Sequence, residues 1–242
     1  MSSTTAFEDF IARQSVYDRR RRVLHRVLRA IGFRLCRIEV SGLEHIPESG
    51  PTILMMNHIS FIDPIVFTAV VPNRYVISMA KAEAYDQWII RAAINLWGNY
   101  VIRRGEVDRT ALSQSIQLLE SGQMVLIAPE GTRNPDGLGA PKDGVAYIAQ
   151  RSNAVVLPAA ILGAQDWSIR LRRLQRAYAR VVFGRPFQFV IPEGQRLNKA
   201  VRNSMMREAM YQIARLIPDD QAHQRGLYRD LDQATTGHLK FV

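Results

Sequence analysis

The run Thr52-Ile53-Leu54-Met55-Met56-Asn57-His58-Ile59-Ser60-Phe61-Ile62-Asp63-Pro64 changes character twice within a few residues. Thr52 to Met56 is apolar without alternation, which predicts a strand covered on both faces. Asp63-Pro64 predicts a helix start, with Asp as N-cap and Pro as first helical residue. A strand passing into a helix through one short turn is half of a parallel crossover unit. His58 and Asp63 stand five apart, which on an α-helix is a rotation of about 500°. The two side chains therefore meet only if the chain bends between them. If they do meet, the carboxylate holds one imidazole nitrogen and leaves the other as a base. Taken alone, the spacing is equally served by a capping Asp and a turn His.

The same alternation continues on both sides. Strands are expected at Arg37 to Val40, Tyr75 to Met79, Tyr100 to Arg103, Met124 to Ala128, Val155 to Ile161 and Ala179 to Phe183. Helices are expected over 64–71, 84–96, 108–121, 143–152 and 198–217. Asp108 is placed as N-cap and Gly122 as terminator of the third of these. The fold class is therefore α/β, a mostly parallel sheet flanked by helices. Ligands of such sheets bind beyond the carboxyl ends of the strands.

Ahead of the sheet, residues 7–35 read as one helix with Leu24, Val27, Leu28, Ile31 and Leu35 at helical spacing. Arg19 to Arg22, Arg26, Arg29 and Arg34 crowd the same stretch. This basic amphipathic N-terminal segment suits either a membrane interface or a solvated face packed on the domain. Three divisions follow: a basic segment 1–36, an α/β domain 37–218, and a polar, loosely ordered tail 219–242.

Two further motifs fall at predicted strand ends. Gly98-Asn99-Tyr100-Val101-Ile102-Arg103-Arg104 ends in two guanidiniums suited to a phosphate or to surface pairing. Pro129-Glu130-Gly131-Thr132-Arg133 follows the apolar strand Met124 to Ala128, and Lys142 lies shortly downstream. With a parallel sheet, one candidate base and several cations converge on one edge.

The chain of 242 residues carries a formal charge of +10. Anionic lipid, nucleic acid and phosphorylated substrates are the partners such a charge attracts, and a solvated basic surface is the alternative. Its single cysteine, Cys36, excludes an intrachain disulfide and fits a reducing compartment. No signal-peptide pattern opens the sequence, and no apolar run reaches the ~18 residues of a spanning helix. A cytoplasmic protein, soluble or peripheral to a membrane, is the expectation. No H-E-x-x-H, paired cysteines, P-loop or G-x-S-x-G elbow occurs, so neither metal, nucleotide nor serine-nucleophile chemistry has a sequence basis.

In order, these motifs resemble the 1-acylglycerol-3-phosphate acyltransferase family of glycerolipid and lysophospholipid acyltransferases. Asn57, His58 and Asp63 match its Asn-His-four-residues-Asp signature. Gly98, Val101, Ile102 and Arg104 match its second block, Pro129 to Arg133 its third, and Val155 to Pro158 its fourth. The resemblance runs from about residue 38 to 186, with Ser41-Gly42-Leu43-Glu44 as lead-in. Ala128, Arg103 and Pro141 depart from the usual residues and leave the acceptor open.

The resemblance implies a specific chemistry. His58, oriented by Asp63, takes the proton from the free hydroxyl of a lysophosphatidic acid-like acceptor, which attacks a fatty-acyl thioester. Arg104, Arg133 and Lys142 bind the acceptor phosphate in a pocket shaped by Glu130, Gly131 and Thr132. No cofactor or metal is implied; acyl-CoA or acyl carrier protein supplies the thioester as co-substrate. The partners are an anionic membrane surface and the lysophospholipid, and no nucleic acid. Glycerol 3-phosphate, another lysophospholipid or a lipid alcohol are alternative acceptors. A hydrolase using the same pair and a basic nucleic-acid-binding module are the remoter readings. Trp88 to Trp97 is the candidate wall of the acyl groove or a membrane-contacting surface, with an ordinary core helix as the alternative.

Overall fold

The computed structural model describes residues 3–81, 88–102 and 109–242. Two helices lead, α1 (Ser3–Ala12) and α2 (Gln14–Leu35). Then come β1 (Cys36–Ser41), β2 (Thr52–Met56), α3 (Asp63–Val70), β3 (Val76–Lys81), α4 (Trp88–Trp97) and β4 (Tyr100–Ile102). The chain continues through α5 (Arg109–Glu120), β5 (Met124–Ile127), α6 (Gly144–Ser152), β6 (Val155–Leu162), α7 (Trp167–Arg172) and β7 (Ala177–Phe183). It closes with β8 (Phe187–Phe189), α8 (Lys199–Ala214) and β9 (Leu239–Phe241). Asp108, expected as the cap of α5, and residues 84–87 of the helix expected over 84–96 lie outside the described residues.

The strands form one sheet in the order β1-β7-β6-β2-β5-β3-β4, with β8 joined to β6 and β9 to β8. The block β6-β2-β5-β3-β4 is parallel throughout. The strand β2 lies within it, between β6 and β5, and every one of its residues is buried. Ile53 and Met55 enter one core, against α5, α6 and α8, while Leu54 and Met56 enter the other, with α3. That two-sided burial is what its unbroken apolar run requires. β7 runs antiparallel to β6, and β1 pairs parallel with β7. Consequently α2 ends, and α7 lies, at the edge where β2, β5 and β6 finish.

The N-terminal segment departs from expectation in two respects. It is two helices, broken at Arg13, and α2 turns basic residues inward. Arg21 is fully buried and donates to the carbonyls of Trp97 (2.7 Å) and Gly98 (3.1 Å) at the end of α4. One turn on, His25 is buried, and a further turn on Arg29 donates to Ala69 O at the end of α3 (2.8 Å). Terminal helix carbonyls lack intrahelical donors and carry partial negative charge, so guanidiniums seat there. Val16, Val23, Val27, Ile31 and Leu35 are left on the exposed face.

The expectation of a loose tail over 219–242 is overturned. Asp219–Tyr228 forms a 3-10 segment, and β9 extends the sheet. Glu208 of α8, 5% exposed, explains the order. Its carboxylate accepts from Thr235 Oγ1 (2.8 Å) and from the His238 amide (2.8 Å), and pairs with His238 Nδ1 (3.1 Å). Burying a carboxylate requires such partners, and here the tail's own polar residues supply them.

Candidate active site

The turn after β2 is built around one carboxylate. Asp63 is not the N-cap expected; Ile62 is, and Asp63 is the first helical residue, followed by Pro64. Its side chain folds back, and Oδ2 accepts from the amides of Ile59 (2.7 Å) and Ser60 (2.8 Å). The same oxygen lies 2.8 Å from His58 Nδ1. The carboxylate is fully buried, while the imidazole is 17% exposed. Nδ1 donating to Asp63 assigns the tautomer in which Nε2 carries the free lone pair. The Ile59 and Ser60 amides are engaged by Asp63, which removes them as oxyanion donors. Asn57 holds the strand end from behind: its amide donates to Ile161 O (2.9 Å) and accepts from Ile161 N (2.7 Å).

The loop after β5 meets this turn directly. The Asn134 amide donates to His58 O at 2.7 Å. Glu130 is 6% exposed, so it does not stand in the pocket as a ligand. Its Oε2 instead accepts from Gly139 N (2.7 Å) and from the Asn134 side chain, which closes the loop around it. Burial pushes the Glu130 carboxyl up, against the opposing pull of Asn134, Gly139 and His58. Gly131 adopts a φ of +70°, and a Cβ there would lie 2.9 Å from Lys142 Cε. The Lys142 side chain therefore lies across Gly131, and only glycine leaves it that path. Thr132, Arg133 and Lys142 are exposed.

His58 and Asp63 are thus in contact, and Glu130 to Arg133 with Lys142 share one loop tied to them. Arg104 and its neighbour Arg103 lie outside the described residues; β4, which leads to them, is parallel to β3 and ends at the same edge. Asn134 was readable only as a turn residue, because its backbone contact reaches His58, at a strand end far away in sequence. Of the expected groove wall, Trp97 is buried and donates to Val76 O (2.8 Å), whereas Trp88 is exposed. Cys36 is buried and burial raises its thiol, so it is a core residue. Among the described residues no cluster of potential metal ligands occurs.

The family model described as Acyltransferase matches residues 37–162, just over half of the chain and all of the turn and loop above. The chain belongs to the Acyltransferase family. Within it, 31% identity over 133 residues relates the chain to 1-acyl-sn-glycerol-3-phosphate acyltransferase LPAT1, chloroplastic, of Arabidopsis thaliana, covering 52% of this chain and 36% of that protein. The 1-acyl-sn-glycerol-3-phosphate acyltransferase alpha of Bos taurus is 29% identical over 187 residues, covering 70% and 62%. The chain thus spans between about a third and three fifths of the length of these two relatives. This family member has the same fold as the 1-acyl-sn-glycerophosphate acyltransferase PlsC of Thermotoga maritima. The TM-score is 0.59 at 23% identity, covering 87% of this chain and 89% of that one.

Proposed function

We propose that the protein transfers a fatty-acyl group from a thioester to the free hydroxyl of a lysophosphatidic acid-like acceptor. The observation that carries this reading is the joining of the two motifs: an imidazole held by a buried carboxylate, and a cationic loop bonded to that histidine's own carbonyl. His58 Nε2 takes the hydroxyl proton as the alkoxide oxygen attacks the thioester carbonyl. Asp63 balances the imidazolium that forms. The C–O ester bond forms, the C–S bond breaks, and the proton passes from His58 to the departing thiolate. Arg133 and Lys142, with Arg104, hold the acceptor phosphate; acyl-CoA or acyl carrier protein supplies the thioester. The relatives' names point to the same acceptor class.

The deciding assay supplies purified protein with one long-chain acyl-CoA and a panel of lysophosphatidic acid, glycerol 3-phosphate and other lysophospholipids. Acyl ester formation is expected with the phosphate-bearing acceptors, and no transfer to any acceptor overturns the proposal. Arg133→Ala is expected to raise the acceptor KM roughly 10- to 100-fold, the loss of one charge-assisted contact, with little change in kcat. An unchanged acceptor KM refutes the phosphate assignment.

Docking on the cytoplasmic face of an anionic membrane belongs to the same proposal. Phe61 and Ile65 beside His58, Ile169 and Leu174 around α7, and Leu35 at the end of α2 are all exposed, Leu174 by 97%. Arg34, Arg170, Arg172 and Arg173 are exposed among them. Arg176 donates to Phe33 O (3.1 Å), which joins α7 to the end of α2. Apolar side chains rimmed by arginines suit an anionic interface, each cation adding about 1 kcal/mol. Arg172→Ala with Arg173→Ala is therefore expected to weaken partitioning to phosphatidylglycerol vesicles roughly 30-fold at low salt. Co-sedimentation equal to the unmodified protein would count against this surface.

A further inference from the structure

The cationic loop is held from two sides, and only the inner side belongs to the motifs already discussed. On the outer side it meets the C-terminal segment. The Leu138 amide donates to Gln224 O (3.0 Å), and the Leu227 amide donates to Leu138 O (2.9 Å). Gln224 Nε2 adds a bond to Pro135 O (3.2 Å). Both backbone groups of Leu138 are thereby taken up by residues about ninety positions away in sequence.

The fit depends on glycine. Gly226 has φ +51° and ψ −116°, a region that side chains avoid. A Cβ on it would lie 2.2 Å from Leu138 O and 2.5 Å from Leu138 N. Gly137 faces it, at φ +134°, where a Cβ would come within 3.0 Å of Gly226 Cα. The segment behind these glycines is firmly seated. Arg225, buried, donates to Ile217 O (2.6 Å), and Tyr228 packs edge-on against Tyr211 of α8 at 5.1 Å. Burial, and then the charge of Glu130, push the Tyr228 phenol up to about 12.

We propose that residues 224–227 are a clamp that sets where Arg133 and Lys142 stand relative to His58, so that a segment remote from the acceptor determines acceptor binding. This rests on the reading of that loop as the phosphate site. Within the loop the Lys142 amide donates to Pro129 O (2.8 Å), and beyond that its position comes from bonds to Glu130, to His58 O, and to the clamp. Losing one charge-assisted contact to a phosphate costs roughly 10- to 100-fold in affinity. Gly226 and Gln224 are positioning residues and touch no substrate.

Three variants test the clamp: Gly226→Ala, Gln224→Ala, and Phe241→Ala in β9 as a destabilised control away from the loop. Each is measured for melting temperature, for KM of lysophosphatidic acid and of acyl-CoA, and for the rate of trypsin cleavage after Arg133. Gly226→Ala is expected to raise the lysophosphatidic acid KM at least ~10-fold, with kcat at saturating acceptor within about threefold and acyl-CoA KM unchanged. Gln224→Ala, which keeps the backbone geometry, shows a smaller rise of roughly threefold and serves if Gly226→Ala does not fold. Both speed cleavage after Arg133 relative to the Phe241→Ala control. Unchanged cleavage in a folded variant overturns the clamp, as does an equal KM rise in the control. Faster cleavage with an unchanged acceptor KM leaves the clamp standing and overturns the phosphate reading of the loop instead.

Discussion

On the proposed mechanism, alanine at His58 is expected to lower kcat by about 10²- to 10⁴-fold, the range over which a positioned base assists proton transfer. The fold is expected to survive the change. The Asp63 carboxylate keeps the amides of Ile59 and Ser60, and the vacated imidazole volume is partly open to solvent. The expected result is a protein with a melting temperature close to the original and almost no acyl transfer at any acceptor concentration. Activity within threefold of the original would remove His58 as the base. Because the lost interaction exists only while the proton moves, kcat and kcat/KM should fall together.

The second large effect is at Asp63, and it separates two roles of one carboxylate. Asp63→Ala leaves the Ile59 and Ser60 amides without an acceptor in a turn where both residues are buried. Each orphaned donor costs about 1–3 kcal/mol, a large share of the ~5–15 kcal/mol that holds a typical domain. Loss of thermal stability and of activity together is expected. Asp63→Asn retains an acceptor oxygen for both amides and for Nδ1–H, with the new amide group at the position of Oδ1, which has no partner among the described residues. That variant should fold, yet lose on the order of 10²-fold or more in kcat, because no charge balances the imidazolium. Near-normal turnover in Asp63→Asn would show that orientation alone suffices.

Much of the architecture follows from local pattern. The unbroken apolar run of β2, the Gly122 terminator of α5, and the strand–helix alternation each report a neighbourhood of a few residues. Burial on one face or two leaves a periodic trace there. The His58–Asp63 contact was legible as a possibility, since Asp63-Pro64 demands a bend. Its geometry was not: the carboxylate acts from inside the helix's first turn, not as a cap. The basic residues of α2 show the limit in another form. Periodicity locates the row Arg21, His25, Arg29, but the terminal carbonyls that draw it inward belong to α3 and α4.

The C-terminal segment is where local reading failed outright. Its composition is polar, and polar residues in sequence look like solvent-facing residues. Here they are ordered by acceptors and donors they do not adjoin, namely Glu208 for Thr235 and His238, and Leu138 for Gln224 and Leu227. The amino-acid sequence by itself determined the α/β class, the family, and the residues of the His58–Asp63 turn and the cationic loop, because each is written in contiguous residues. Only the tertiary structure decided that Glu130 braces the loop from within, that α2 buries Arg21, and that the chain's end closes over the loop. Those three depend on hydrogen bonds between groups far apart along the chain, and such pairings leave no periodic trace in sequence.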